Sequence, residues 1–157
     1  MKMLNEKKEF RVAVINGPNI NILGIREPDV YGTTTWESIE KDVKALAKEL
    51  NIDIDFFQSN HEGDIVDYIQ KNLFTLDGVV INPAAFTKTG YSILDALTAI
   101  GMPFIEVHLS NINARENWHS ETIFASKASG HINGFQEYSY QLGLLGLYYL
   151  LKKRRNL

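Results

Sequence analysis

The chain has 157 residues, of which 45% are hydrophobic and 22% are charged, and its formal net charge is −3. This size and composition predict one globular domain spanning residues 1–157, with a polar extension over residues 1–9. The slightly acidic balance argues against a general nucleic-acid-binding protein, which would carry a basic surface. Because the sequence holds no cysteine, disulfides, thiolate catalysis and thiolate metal sites are excluded.

The N-terminal segment and the lengths of the apolar runs indicate where in the cell the protein is located. Residues 1–9 are charged and lack the apolar core of a signal peptide. No apolar run approaches the roughly 20 residues that a membrane-spanning helix needs. We therefore predict a cytoplasmic protein that binds neither membranes nor nucleic acid.

The first half of the chain alternates between strand-like and helix-like patterns. Residues 10–16 form an apolar run that predicts a buried strand, and residues 52–57 alternate between apolar and acidic side chains, which predicts an outer strand. Two candidate capping boxes predict helix starts: Thr34 with Glu37, and Ser59 with Glu62. Apolar residues at helical spacing follow each box: Trp36, Ile39, Val43, Leu46, Ala47 and Leu50, then Ile65, Val66, Ile69, Leu73 and Leu76.

The second half continues this alternation. Buried strands are predicted at residues 78–81 and 104–108, and a fifth strand near residues 131–135. Two further helices are predicted: one that turns Ile93, Leu94, Leu97 and Ile100 inward and stops at Gly101 and Pro103, and one from Tyr138 to Lys153.

This order of elements predicts a doubly wound α/β fold, in which helices cover both faces of a five-stranded parallel sheet as a three-layer sandwich. Ligands in such folds bind beyond the carboxyl ends of the strands. The loops after Ile15, Phe57, Ile81 and His108 are therefore the predicted binding region.

The longest of these loops, residues 16–32, carries Arg26 five residues before Tyr31. Loops of this length are uncommon inside compact domains and are usually functional. A nearby guanidinium favours the ionised form of a tyrosine, so Tyr31 is a candidate general base. The alternative interpretation is a loop tyrosine that only packs against the protein.

Glu106 and His108 lie two residues apart at the end of a predicted strand, so they share one face of it. A carboxylate beside an imidazole sets its tautomer and stabilises its protonated form, which suits a general acid. The alternative is a strand-end ion pair without a catalytic role. The segment 82–85, Asn-Pro-Ala-Ala, also follows a strand, and it either approaches an anion through its amides or forms a tight turn.

Three other segments receive structural interpretations. Residues 61–64, His-Glu-Gly-Asp, have metal-ligand types but no second cluster at zinc-site spacing, and a helix start explains their acids. The basic residues 152–155 complement the dipole at a helix C-terminus. A leucine stripe in the last helix is predicted to lie in the core or at a subunit interface: Leu142, Leu144, Leu145 and Leu147.

Two other classes of protein share the predicted fold. A flavin-binding electron carrier needs a hydroxyl- and glycine-rich phosphate loop after the first strand, and a phosphoacceptor signalling domain needs acidic residues at the first and third strand ends. The sequence departs from both patterns: Pro18, Leu23, Arg26 and Glu27 stand in the loop, and Asn16 and Asn82 stand at the strand ends.

Taken together, these segments resemble the type II 3-dehydroquinate dehydratases over residues 10–151. The resemblance is carried by Asn16-Gly17-Pro18-Asn19-Ile20-Asn21-Ile22-Leu23-Gly24, Arg26-Glu27-Pro28, Tyr31-Gly32, Gln58-Ser59-Asn60, Glu62-Gly63, Ile81-Asn82-Pro83-Ala84-Ala85, Ile105-Glu106-Val107-His108-Leu109-Ser110-Asn111 and Ala114-Arg115-Glu116. It implies a flavodoxin-like fold and a single catalytic domain. The implied reaction is trans-elimination of water from 3-dehydroquinate through an enolate to 3-dehydroshikimate, in the shikimate or quinate pathway, without metal or cofactor.

The resemblance also implies roles for five catalytic residues. Tyr31 would remove the proton next to the ketone, while Arg26 would hold Tyr31 as a tyrosinate. Asn19 would help to bind a water that supports the enolate. His108, oriented by Glu106, would protonate the departing hydroxyl.

Further residues are implied to contact the substrate. Asn82 and the backbone amides of Leu109 and Ser110 would hold the substrate carboxylate, and Arg115 would also line the substrate site. Asp95 would reach in from a neighbouring subunit, because the family assembles as trimers packed into a dodecamer.

The chain departs from the family's usual residues at three positions. Lys88 stands where a histidine is usual, His119 stands where a substrate-binding arginine is usual, and Leu94 stands where an arginine is frequent. Lys88 and His119 are both implied to contact the ring hydroxyls of the substrate. Relative to the family, the permanently charged side chain moves from position 119 to position 88. A catalytically impaired relative that only binds a cyclic polyol acid is the alternative.

Overall fold

The computed structural model describes residues 7–25, 29, 33–116 and 120–156. Its strands are β1 (Phe10–Asn16), β2 (Ile52–Gln58), β3 (Gly78–Asn82), β4 (Phe104–His108) and β5 (Gly130–Asn133). They form one parallel sheet in the order β2-β1-β3-β4-β5. This is the strand order of flavodoxin-like folds, and it confirms the predicted doubly wound α/β class.

Four α-helices in the described part of the chain cover the sheet: α1 (Trp36–Glu49), α2 (Glu62–Lys71), α3 (Tyr91–Ala99) and α4 (Tyr138–Arg155). Helices α1 and α4 pack together on one face, and α2 and α3 pack together on the other. Short 3₁₀ turns follow three of the strands, at Ile20–Ile22, Ala84–Thr87 and Ile112–Ala114.

Two hydrophobic clusters hold these layers together. Along β1, Val12 and Val14 face α1 and α4, whereas Ala13 and Ile15 face α2 and α3. Each of the four side chains is at most 1% exposed. A parallel strand covered on both faces needs apolar side chains at every position, which explains the unbroken apolar run of the sequence.

Both predicted capping boxes are wrong in detail. Helix α1 is capped by Thr35, whose hydroxyl accepts from the Ser38 amide at 3.3 Å, so the cap lies one residue after the predicted Thr34. At the start of α2, His61 is the N-cap, and its amide donates to the Ser59 hydroxyl at 2.9 Å. Glu62 does not complete a box, because its carboxylate accepts from the Ser92 hydroxyl of α3 instead.

Other boundaries shift by a few residues. Strand β5 begins and ends earlier than residues 131–135, and Gly134 follows it with a φ of 93°, outside the strand region. Helix α2 ends at Lys71, so Leu73 and Leu76 lie beyond it although both still pack into the core. Helix α4 extends to Arg155.

The residues just before β1 are tied to the rest of the fold. The Glu9 amide donates to the Asn51 carbonyl at 2.9 Å, and the Glu9 carboxylate accepts from Lys152 of α4 at 2.7 Å. Arg155 donates to the Glu9 carbonyl at 2.8 Å. Part of the basic run at residues 152–155 therefore binds Glu9 as well as completing the helix end. In the described part of the chain, no helix is both long and apolar enough to cross a membrane.

Gly17 brings the loops after β1 and β3 into close contact. Its amide donates to the Asn82 carbonyl at 2.8 Å, and its carbonyl accepts from the Gln58 side chain at 3.3 Å. A Cβ atom at this position would lie 2.1 Å from the Pro83 carbonyl oxygen, so only glycine permits the approach. The contact fixes the start of the long loop against the end of the neighbouring strand.

Candidate active site

The carboxyl ends of β1, β3 and β4 bring four polar side chains to one edge of the sheet. Asn16, Asn82, Glu106 and His108 are all buried, with exposures of 0%, 3%, 0% and 6%. Asn16 and Asn82 are direct partners in the parallel register of β1 and β3. This grouping agrees with the prediction that polar residues gather at the carboxyl ends of these strands.

A buried tyrosine of α4 joins the first two of these strands. Tyr140 accepts a hydrogen bond from Asn82 Nδ2 at 2.9 Å and donates one to Asn16 Oδ1 at 2.7 Å. Asn82 Oδ1 accepts from the Ala84 amide at 3.1 Å, so both ends of the Asn82 amide are held in place. Burial raises the pKa of Tyr140 well above its usual value, which keeps the hydroxyl protonated and able to donate.

Glu106 and His108 form a close pair at the end of β4. Glu106 Oε1 lies 2.7 Å from His108 Nε2, and the same oxygen accepts from the Thr122 hydroxyl at 2.6 Å. The Thr122 hydroxyl in turn accepts from the Phe124 amide at 3.0 Å, which fixes its orientation. A carboxylate held in this way can orient an imidazole and stabilise its charged form.

His131 is a residue at this site that sequence reasoning missed. It lies on β5 directly opposite Glu106, and its Nε2 is 3.9 Å from Glu106 Oε2. Burial lowers the pKa of His131, against the opposing effect of Glu106. The sequence indicated only that His131 lies in the fifth predicted strand. Its position opposite Glu106 follows only once β5 is known to pair with β4.

The loop after β4 is held by its own side chains and by the segment after β5. Arg115 donates to the Ser110 hydroxyl at 2.6 Å, and the buried Leu109 accepts at its carbonyl from the Gln136 amide at 2.8 Å. The three predicted substrate contacts, Leu109, Ser110 and Arg115, therefore lie in a loop whose conformation is held by hydrogen bonds.

Asn19 begins the 3₁₀ turn after β1 in the left-handed conformation, with a φ of 67°. Its amide donates to Asn60 Oδ1 at 3.1 Å, and Asn60 also accepts from Gln58 at 3.1 Å. The residue is exposed to solvent. The first part of the long loop is thus anchored to the loop after β2, with Asn19 at the surface.

Two predicted substrate contacts lie in surroundings that the sequence did not indicate. Lys88 Nζ lies 2.7 Å from Glu121 Oε2, and both side chains are largely exposed. Asp95 lies on the exposed side of α3 in a surface groove that it shares with Tyr91, Thr98 and Lys127. The predicted residues Arg26, Tyr31 and His119 lie outside the described residues.

The metal-like segment 61–64 is engaged in other contacts. Asp64 accepts from the Ser59 hydroxyl at 2.8 Å, and Glu62 accepts from Ser92. Within the described ranges, one group of side chains has ligand atoms close enough together to hold a metal ion, and it consists of Glu106, His108 and His131.

Comparisons with known proteins identify a family that this chain resembles. The sequence model of the family described as "Dehydroquinase class II" matches residues 10–148. The "3-dehydroquinate dehydratase" of Endomicrobium trichonymphae is 50% identical over 143 residues, which cover 91% of this chain and 95% of that protein. The "Catabolic 3-dehydroquinase" of Aspergillus clavatus is 47% identical over 146 residues, covering 93% of this chain and 97% of that protein.

A solved structure shows the same fold. The type II dehydroquinase from Butyrivibrio crossotus superposes with a TM-score of 0.85 at 40% sequence identity. The superposition covers 88% of this chain and 97% of that one. The two proteins therefore share their fold over most of this chain.

Replacement of Tyr140 tests the network that joins β1 and β3. We expect Tyr140→Phe to lower the free energy of unfolding by about 1–3 kcal/mol, because two buried amide groups lose their partner. Urea unfolding followed by circular dichroism measures the change. Tyr149→Phe is the matched control, since Tyr149 is 64% exposed on the same helix. Equal losses in the two variants would contradict a special role for the buried hydroxyl.

Proposed function

The chain belongs to the class II dehydroquinase family, and from this we propose that it dehydrates 3-dehydroquinate to 3-dehydroshikimate as a hydro-lyase of the shikimate or quinate pathway. The observation that carries the proposal is the buried Glu106–His108 pair at the carboxyl edge of a parallel sheet with the flavodoxin-like strand order. We further propose that residues 1–157 act as one catalytic domain. The cytoplasmic location stays a prediction.

The reaction requires a base, an acid and a group that stabilises negative charge between them. Removal of the proton next to the ketone gives an enolate, and loss of the hydroxyl with a proton from the acid then gives the conjugated enone and water. Side chains positioned on both sides of the substrate can supply these functions without a metal.

His108 is the proposed acid. Its Nε2 is engaged by Glu106, which leaves Nδ1 as the ring nitrogen able to deliver a proton to the departing hydroxyl. Glu106 is itself held by Thr122, so the imidazole is oriented by a carboxylate that cannot easily move. This rigidity supports catalysis because the acid stays aligned throughout turnover.

Tyr31 is the proposed base, and Arg26 is proposed to hold it as a tyrosinate. Both assignments rest on the family motif in residues 16–32. Asn19 is proposed to bind the water that supports the enolate, and its exposed position at the start of the same loop is compatible with that role.

Three groups at the neighbouring strand ends are proposed to bind the substrate carboxylate. Asn82 uses one Nδ2 proton for Tyr140, and the second can reach a ligand. The backbone amides of Leu109 and Ser110 would complete the anion site. Arg115 supports Ser110 through its hydroxyl and would add positive charge.

Lys88 and His119 are proposed to contact the ring hydroxyls of the substrate. Lys88 would have to exchange Glu121 for the substrate, and since both side chains are largely exposed this costs only about 0–1 kcal/mol. Lys88 would strengthen the contact as a charged donor, whereas His119 would weaken it because a histidine has fewer donors than an arginine.

Asp95 is proposed to reach the active site of a neighbouring subunit in a dodecamer built from trimers. Its exposed position in the groove on α3 supports this, and so does the large side chain of Tyr91 in the same groove, which is 66% exposed. Light scattering that finds a fully active monomer would remove the proposal.

The activity is tested with purified protein and 3-dehydroquinate. We expect the ultraviolet absorbance of the conjugated enone to appear without added metal, and to appear at the same rate in excess chelator. No product under any condition would overturn the proposed function. Activity that chelator removes and only metal restores would instead overturn the metal-free mechanism.

Substitutions in the loop test the proposed base. We expect Tyr31→Phe to lower kcat by about 100- to 10,000-fold, because it removes only the oxygen that takes the proton. Binding of a product or substrate analogue, measured by calorimetry, should change little. Arg26→Lys should also be severely impaired, since a point charge does not replace a planar guanidinium. A Tyr31→Phe variant that keeps a large fraction of turnover would exclude Tyr31 as the base.

A double-mutant cycle tests the two unusual residues. We expect Lys88→His alone to raise KM and the addition of His119→Arg to restore part of the loss, because both positions contact the same ring hydroxyls. A lost charge-assisted hydrogen bond of about 1.5–3 kcal/mol corresponds to a change in KM of roughly 10- to 150-fold. Strictly additive effects would show that the two positions act independently.

A further inference from the structure

Two unpaired polar atoms face each other behind the Glu106–His108 pair. Glu106 Oε2 and His131 Nε2 are both buried, and neither has a hydrogen-bond partner in the described part of the chain. They are 3.9 Å apart, which is beyond hydrogen-bond distance. Buried polar atoms of this kind are normally satisfied, so a ligand placed between them would stabilise both.

The same two atoms belong to a cluster with three ligands. His108 and His131 lie edge to face with ring centroids 5.6 Å apart. One ligand atom from each of Glu106, His108 and His131 lies within 4.8 Å of the others. Two imidazoles and one carboxylate form the donor set of many three-residue zinc sites, in which a water takes the fourth position.

We propose that Glu106, His108 and His131 bind a divalent transition-metal ion, Zn²⁺ above all, and that the bound ion inhibits the enzyme. Imidazole nitrogens favour zinc, copper and nickel over magnesium and calcium, which prefer oxygen ligands only. The ion has no part in the reaction itself, since the proposed dehydration uses no metal, but it shares Glu106 and His108 with the proposed catalytic site.

The distances fit a small ion. In a tetrahedral site with zinc–ligand bonds of about 2.0–2.2 Å, two ligand atoms lie about 3.3–3.6 Å apart. The separation of 3.9 Å between Glu106 Oε2 and His131 Nε2 exceeds this distance by only about 0.3–0.6 Å. The three ligand atoms lie within 4.8 Å of one another, so side-chain movements of up to about 1.5 Å bring all three to one ion.

The surroundings also favour the site. Thr122 holds Oε1 of Glu106, so Oε2 is the oxygen left for an ion, and a hydrogen-bonded carboxylate of this kind keeps its orientation on binding. The His131 side chain is 22% exposed while that of Glu106 is fully buried. An ion from solvent would therefore enter past His131.

Inhibition is expected because coordination of a metal ion prevents His108 from acting as the acid. A coordinated imidazole uses a nitrogen lone pair for the ion, and a metal at Glu106 removes the carboxylate that stabilises the protonated ring. His108 would then be unable to protonate the departing hydroxyl. This consequence, unlike the binding itself, rests on the proposed function.

Binding is tested first, without substrate. Chelator-treated protein is titrated with Zn²⁺ by calorimetry and with Co²⁺ by visible absorbance, for the wild type, His131→Gln and His61→Gln. His61 is the matched control because it is an exposed histidine outside the cluster. We expect one ion per chain, and we expect His131→Gln to weaken binding by at least about tenfold while His61→Gln has no effect.

Thermal unfolding provides a second measure of zinc binding that remains valid if a variant is destabilised, because each protein is compared with its own metal-free form. Zn²⁺ should raise the Tm of the wild type and of His61→Gln relative to each protein's own metal-free value, and the same Zn²⁺ concentration should raise that of His131→Gln by less. No zinc binding by the wild type, or equal affinity in His131→Gln, would overturn the proposed site.

Activity is measured second, relative to the metal-free rate of each variant. We expect Zn²⁺ to inhibit the wild type, chelator to restore the full rate, and His131→Gln to need at least about tenfold more Zn²⁺ for the same inhibition. Stoichiometric binding without inhibition would overturn the inhibitory role. A protein that never forms product would refute the proposed function, whereas the calorimetric result would still decide the metal site.

Discussion

The buried carboxylate of Glu106 is the constraint around which the active edge of this sheet is organised. An ionised carboxylate in a protein interior is costly unless hydrogen bonds and nearby positive charge compensate it. Here His108 and Thr122 both approach the same oxygen, within 2.7 Å and 2.6 Å. The arrangement joins β4 to the segment before β5, so the position of the proposed acid depends on the whole end of the sheet.

A second group of buried polar side chains lies at the ends of β1 and β3, and it consists of neutral residues. Tyr140 links Asn16 to Asn82 through neutral hydrogen bonds, and both strand ends are thereby held to α4. The proposed chemistry divides along the same line, with proton transfer on β4 and binding of the substrate carboxylate on β3 and the loop after β4. A parallel sheet permits this because its strand ends meet at one edge.

Sequence patterns predicted most of this architecture and part of the site. The apolar run of β1 and the spacing of Glu106 and His108 are local features, so they could be interpreted without knowing the fold. Helix starts were less predictable. Thr34 and Thr35 are both suitable N-cap residues. The choice between them depends on the residue at which the backbone enters the helical conformation, which is Trp36. The acid of the second predicted box, Glu62, contacts α3, a partner far away in the sequence.

The sequence by itself determined the order of strands and helices, the family and the identity of the candidate acid, because hydrophobic periodicity and motifs are properties of neighbouring residues. Only the tertiary structure decided which distant side chains meet. Tyr140 reaches Asn16 across 124 positions, and Lys88 pairs with Glu121. His131 faces Glu106 only because β5 pairs with β4 in one particular register. Register depends on how the strands and helices pack together, and a one-residue slip would turn His131 to the opposite face.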